Sequence, residues 1–289
     1  MSYGPSAHPN CLPLPHMQRA PRISMPPLSV DAHLHVFPPV EQYPMDSRRS
    51  YTPHVSTLAQ YRSLMQVLGI ERAVLVQPSV YGTDNRAHLD ALTEGGASFR
   101  GVMVPKPNVS EDELQSMHER GVRGIRLNVV NPSVLSVDDA IALSKRVAPL
   151  GWHLQLHLNL GRDGMAPLLD IAARTALPLV IDHMGRLTPN FIPPELLDLL
   201  RAGRCWVKLS GSYRISALPY PHADLQAVVQ ALVAANADQL VWGSDWPHPE
   251  LHSSMPQAAD LVDLLSDWIP DQSLRHHIAV DNPARLYDF

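Results

Sequence analysis

The chain has 289 residues, a hydrophobic fraction of 45% and a formal net charge of −5. That length suits one large α/β domain, and a negative charge without any Lys/Arg run argues against a nucleic-acid partner. Two cysteines, Cys11 and Cys205, are too few for a disulfide framework or a Cys-based zinc site, which fits a reducing cytoplasm. No apolar run is long enough to span a bilayer, so no membrane partner is expected.

Residues 1–28 are rich in proline and lack the apolar core of a signal peptide. They are read as a flexible N-terminal extension, with packing across a barrel bottom or onto a neighbouring subunit as alternatives. A domain is expected over 29–289. Its first strand, 30–37, carries His33 and His35 at i and i+2, which in a strand share one face. A polar loop with Tyr43 and Tyr51 follows. Leu58, Tyr61, Leu64, Met65 and Leu68 then recur at helical spacing over 56–68, with Gly69 as the stop.

From there the pattern alternates. Strands are expected at 73–79, 100–104, 124–128, 152–158, 179–183, 205–210 and 239–242. Helices are expected at 85–93, from a Ser110/Glu113 capping box to about 121, and at 136–150, 165–174, 194–201, 223–234 and 257–268. Residues 274–289 read as a short helix or tail. Eight such βα units, without a composition shift between them, predict a single-domain (β/α)8 TIM barrel. A doubly wound open sheet would show a Gly-rich phosphate turn after the first strand, where this chain is His-rich.

In such a barrel the active site lies at the C-terminal ends of the strands. Those ends carry His33, His35, Ser79, Arg126, Asn128, Gln155, His157, His183, Arg214, Asp245 and His248. Several have a plainer alternative. Either arginine can be a rim ion pair, Ser79 a turn residue, His157 a structural histidine and His248 a loop residue fixed between prolines.

Asp31-Ala32-His33-Leu34-His35, Asp182-His183, Gly243-Ser244-Asp245-Trp246-Pro247-His248 and Asn282-Pro283-Ala284-Arg285-Leu286-Tyr287 together resemble the amidohydrolase superfamily. The resemblance is to the branch that includes 2-pyrone-4,6-dicarboxylate lactonase, 4-sulfomuconolactone hydrolase, sugar lactonases and galactarolactone isomerase, and it runs from Val30 to the C-terminus. It implies Asp245 as general base on water, with His33, His35 and His183 beside it. It also implies Arg126 and Arg214 as holders of substrate carboxylates, with Tyr51 and Ser79 among the ligand contacts. Asn131-Pro132-Ser133 stands where the dicarboxylate lactonase has a further arginine, so a different anionic lactone is expected.

The expected function is therefore a hydrolase opening a small carboxylated or sulfonated lactone. A metal-dependent decarboxylase and a lactone isomerase are the alternatives. His33, His35, His183 and Asp245 make an N/O ligand set for one divalent ion such as Zn²⁺. Arg126 and Asn128 stand where a two-metal site would need a bridging Lys or carboxylate. The resembled branch has both zinc-dependent and metal-free members, so catalysis without a metal stays open, as does a homo-oligomer.

Overall fold

Eight parallel strands, each followed by helix, pair in chain order in the computed structural model of the protein. The structure describes residues 8–15, 19–131 and 134–289. The strands are β1 (Val30–Leu34), β2 (Arg72–Val76), β3 (Phe99–Met103), β4 (Val122–Asn128), β5 (His153–His157), β6 (Leu179–Ile181), β7 (Cys205–Leu209) and β8 (Leu240–Trp242). A bridge between Leu34 and Trp246 brings β1 back beside the segment after β8, so the sheet curls into a (β/α)8 barrel. Among the described residues, no helix is long and apolar enough to cross a membrane.

Side-chain alternation sorts the strands into two layers. Val74, Val76, Val102, Val180 and Val241 point into the barrel. Ala73, Leu75, Ile125, Leu127, Leu154, Leu156 and Leu209 point outward and meet the helices. Helix α1 (Leu58–Leu68) shows how that outer layer is specified. Thr57 caps it in a box with Gln60, Leu58, Tyr61, Leu64, Met65 and Leu68 are buried on one face, and Gly69 ends it at φ +72°. The box predicted at Ser110 and Glu113 forms as read.

Several boundaries move. The strand predicted at 179–183 ends at Ile181, because His183, Met184, Gly185 and Arg186 all take positive φ. The helix predicted at 223–234 is a short turn, Ala223–Leu225, leading into Gln226–Asn236. The tail is two helices, Gln272–His276 and Asn282–Tyr287, joined by a wide turn. Tyr287 plugs the N-terminal end of the barrel, against the same inward cluster as Val30 and Trp206.

The described parts of the N-terminal extension lie against the barrel. Cys11 donates its N–H to Thr52 O at 2.9 Å and Leu12 to Leu251 O at 2.8 Å, both on loops of the opposite, C-terminal face. Arg19 pairs with Asp260 and Asp263, and Arg22 with Asp267 at 2.7 Å, all on the helix Ala258–Trp268.

Candidate active site

Strict alternation would turn Ala32 and His33 to opposite faces. A bulge prevents this: Asp31 pairs with Ala73, but Leu34 pairs with Leu75, so β1 holds one extra residue. Ala32 below and His33 above then both face the lumen. Asp31 holds the bulge from outside. Its Oδ1 accepts from His33 N (3.1 Å) and Ser244 N (2.8 Å), and its Oδ2 from Ser244 Oγ (2.5 Å) and Tyr61 OH (2.8 Å). Asp245 N donates to His33 O at 2.8 Å and His35 N to Trp246 O at 2.8 Å, which fixes the eighth-strand carboxylate to the histidine pair. Gly243 permits that approach, since a Cβ there would lie 2.8 Å from the His33 Cβ.

Three imidazole Nε2 atoms converge on Asp245. His33 and His35 stand 3.7 and 3.5 Å from its Oδ1, and His183 stands 3.8 Å from its Oδ2. The opposite ring atoms are held. His35 Nδ1 donates to Val76 O at 2.6 Å, His33 Nδ1 lies 3.2 Å from Asp182 Oδ1, and His183 Nδ1 bonds Ser210 Oγ at 2.9 Å. Asp245 Oδ2 accepts from Tyr213 OH and from Arg214 Nε, both at 2.7 Å, while Oδ1 is buried without a hydrogen bond. Burial pushes this carboxyl upward, yet Arg214 and the histidines outweigh it and hold it well below the usual range. Burial lowers His183 to about 3 and keeps His33 neutral in the same way. Asp245 and His183 both sit at positive φ (59° and 51°), a rare conformation that concentrates at functional sites.

Beneath this lies a second polar layer. Arg126 donates to Asp182 Oδ2 through Nη2 (3.0 Å) and Nε (3.2 Å), and to Gln77 O at 3.0 Å. Lys208 donates to Ala32 O (2.9 Å) and to Gln155 Oε1 (2.8 Å), with Asp182 Oδ1 at 3.5 Å. Gln155 donates in turn to Asp182 Oδ2 at 3.2 Å. Burial lowers Lys208 to about 8 despite Asp182. Asp182 is pushed upward by burial, but His33, Lys208 and Arg126 bring it well below its usual range.

A small pocket opens above these layers. Of the residues expected from the sequence, His35, Tyr51, Ser79, Arg126, Asn128, His157, His183, Arg214 and Asp245 line it. A second small lobe shares Ser79, Arg126 and Asn128. Three expectations shift. Gln155 lies under the cavity, its amide committed to Asp182 and Lys208. His33 is fully buried behind Asp245. His248 is also behind the wall, with Nδ1 3.1 Å from Tyr213 OH, and burial lowers it to about 4. The two arginines expected for substrate carboxylates already hold protein carboxylates, Asp182 and Asp245. Pro132 and Ser133 lie outside the described residues.

Sequence reasoning missed Asp182 as a site residue, and also Lys208, Asn131, Arg186 and Glu250; Tyr213 fell within the polar stretch at the end of the seventh strand, without a role. Lys208 carried a signal, being a cation inside the otherwise apolar run Cys-Trp-Val-Lys-Leu. Glu250 carried none.

Among the described residues, two groups of side chains are close enough to hold an ion: His33, His35 and Asp245, and His33, Asp182 and His183. In the second, Arg126 and Lys208 already neutralise Asp182. The first fits a divalent ion. Val76 O only accepts, so His35 keeps a proton on Nδ1, which leaves Nε2, 3.5 Å from Asp245 Oδ1, as the atom that would bind an ion. His33 Nε2 and Asp245 Oδ1 are buried without hydrogen bonds. A cation between these atoms would relieve their mutual repulsion.

A family model described as Amidohydrolase matches residues 30–289. The 4-sulfomuconolactone hydrolase of Hydrogenophaga intermedia is 36% identical over 290 residues, covering 96% of this chain and 95% of that protein. The 2-pyrone-4,6-dicarboxylate hydrolase of Comamonas testosteroni is 35% identical over 283 residues, covering 92% of each. A solved apo structure from Agrobacterium tumefaciens superimposes with a TM-score of 0.85 at 27% identity, covering 93% of this chain and 99% of that one. On that family match and these full-length relatives, the chain belongs to the amidohydrolase family.

Proposed function

We propose that the protein is a lactonase, opening the ring of a small anionic lactone by attack of water on its carbonyl carbon. The observation that carries this reading is the state of Asp245. One carboxylate oxygen is fixed by Arg214 and Tyr213, and the other is buried, unbonded and ringed by imidazole Nε2 atoms at the cavity wall. Oδ1 is thus the oxygen that takes a proton as water attacks. The ring C–O bond then breaks, and the same proton passes to the departing alkoxide, leaving a hydroxy acid. Arg126, Tyr51, Ser79 and Asn128 at the wall orient the lactone's anionic substituent. Tyr213 and Arg214 keep Oδ2 from turning, so the base presents one fixed oxygen.

His33, His35 and Asp245, with His183 alongside, would hold one divalent ion such as zinc. Bound there, it would lower the pKa of water and polarise the carbonyl. The test pairs elemental analysis of the purified protein with a panel of carboxylated five- and six-membered lactones, before and after chelation. Hydroxy-acid release, lost on chelation and restored by zinc, is the expected result. Release that survives chelation removes the metal from this reading. Carbon dioxide, or a rearranged lactone, in place of the hydroxy acid overturns the lactonase itself.

A further inference from the structure

The cavity has two ends of different character. At the inner end, where the second lobe opens, Arg126, Ser79 and Asn128 present donors. At the outer end, three loops meet around a carboxylate that the reaction does not use. Glu250, from the loop after β8, accepts a short hydrogen bond from Asn131 Nδ2 on the loop after β4. Its Oε2 lies 3.6 Å from Arg186 Nη2, after β6, and 3.7 Å from Arg214 Nη1, after β7. Its backbone N–H is received by Cys11 Sγ at 3.3 Å, so the N-terminal extension helps hold it over the cavity. Both cation contacts exceed direct hydrogen-bond length. Glu250 therefore cancels charge at this end without saturating the guanidinium donors. Arg186 Nε is itself buried and unbonded.

An anionic arm of a ligand reaching this end would have to share Arg186 and Arg214 with a carboxylate already placed between them. Like charges side by side in a partly buried cradle cost far more than the same pair in water. We infer that Glu250 is a specificity-determining residue: a built-in carboxylate that fills the outer anion position, so the preferred lactone carries one anionic substituent, at the Arg126 end, and not two. Hydroxyl groups facing Glu250 and the open Arg186 donors are accepted; a second carboxylate or sulfonate is not. This rests on the lactonase reading for the ring, but not for the charge preference.

The experiment therefore separates binding from turnover. Calorimetry on the intact protein compares a cyclopentanone bearing one carboxylate with the same ring bearing two, neither of which can be hydrolysed. Kinetics compares the matching mono- and dicarboxylated γ-lactones. Wild-type protein is expected to prefer the monoanion by about tenfold in both assays. Glu250→Gln, which keeps the shape and removes the charge, is expected to shrink that ratio at least severalfold, mainly through Kd and KM. Equal or tighter wild-type binding of the dianion overturns the proposal, with no variant needed. So does a ratio unmoved in Glu250→Gln. A monoanion preference in binding, with neither lactone opened, leaves Glu250 in its role and removes the lactonase instead.

Discussion

Asp245 is asked to be a base while Arg214, 2.7 Å from its Oδ2, holds it well below the usual carboxylate range. Its advantage is placement and constant ionisation, not intrinsic strength. Asp245→Asn should therefore lower kcat by about 10²–10⁴, the usual size of a general-base contribution, while circular dichroism stays that of the wild type. Retained kcat would remove Asp245 from the chemistry. The neighbouring groups set the pH profile. His183 at about 3 and His248 at about 4 are neutral at physiological pH because burial disfavours their charged forms. They gain protons only far below the ordinary histidine range. Neither ring should thus put a limb on the acid side of kcat/KM near 6.5, and a limb there that disappears in His183→Gln would mean that this imidazole titrates freely and controls the step. At this scale the sequence was informative where chemistry sits on strand ends. His35, Arg126, His157 and Asp245 were legible because period two and the barrel rule place them on the cavity wall. Glu250 and Arg186 were not, since loop residues have no period, and their meeting depends on how the loops after β4, β6, β7 and β8 fold back together.

Strand β1 carries the most demanding local geometry. Its bulge turns His33 inward, and Asp31 answers with both oxygens occupied by four donors. Asp31→Ala strands the two backbone N–H groups of His33 and Ser244 in a fully buried place, at a cost of about 2–5 kcal/mol in denaturant unfolding. Asp31→Asn keeps an acceptor for those N–H groups and offers its amide to the Ser244 and Tyr61 hydroxyls, which can reverse roles. It should cost clearly less, about 1–2 kcal/mol. Equal losses for the two variants would mean that the charge, not the hydrogen-bond set, maintains the bulge. The eight strands and most helices could be read from apolar runs and caps. The bulge could not, because its stabilising partner lies 213 residues away in sequence. The left-handed turn over residues 183–186 was also hidden, since three of its four residues are not glycine.

On the scale of the whole molecule, both terminal segments pack on the barrel, Tyr287 at its lower end and residues 9–12 against the loops above. Six imidazoles are buried within this frame. His33, His88 and His157 are lowered well below the ordinary value by burial, His153 and His183 to about 3, and His248 to about 4. The linkage has one sign for all six. Below about pH 6.5 the unfolded chain binds protons on these rings, whereas in the folded chain His153 and His183 do so only at about 3 and His248 at about 4, and burial keeps the other three neutral well below their ordinary range, so stability falls as pH falls below about 6.5. Each ring protonated in the unfolded chain and neutral in the folded one contributes a slope of about 1.4 kcal/mol per pH unit. Asp182 and Asp245 act later, because their depressed values leave them ionised until more acid is present. Denaturant unfolding from pH 8 to 4.5 should show stability declining already below pH 6.5, with a slope at pH 5 that requires uptake of several protons. A curve flat to pH 5 that breaks only in the carboxylate range would mean that the buried rings are hydrated and titrate in the folded state.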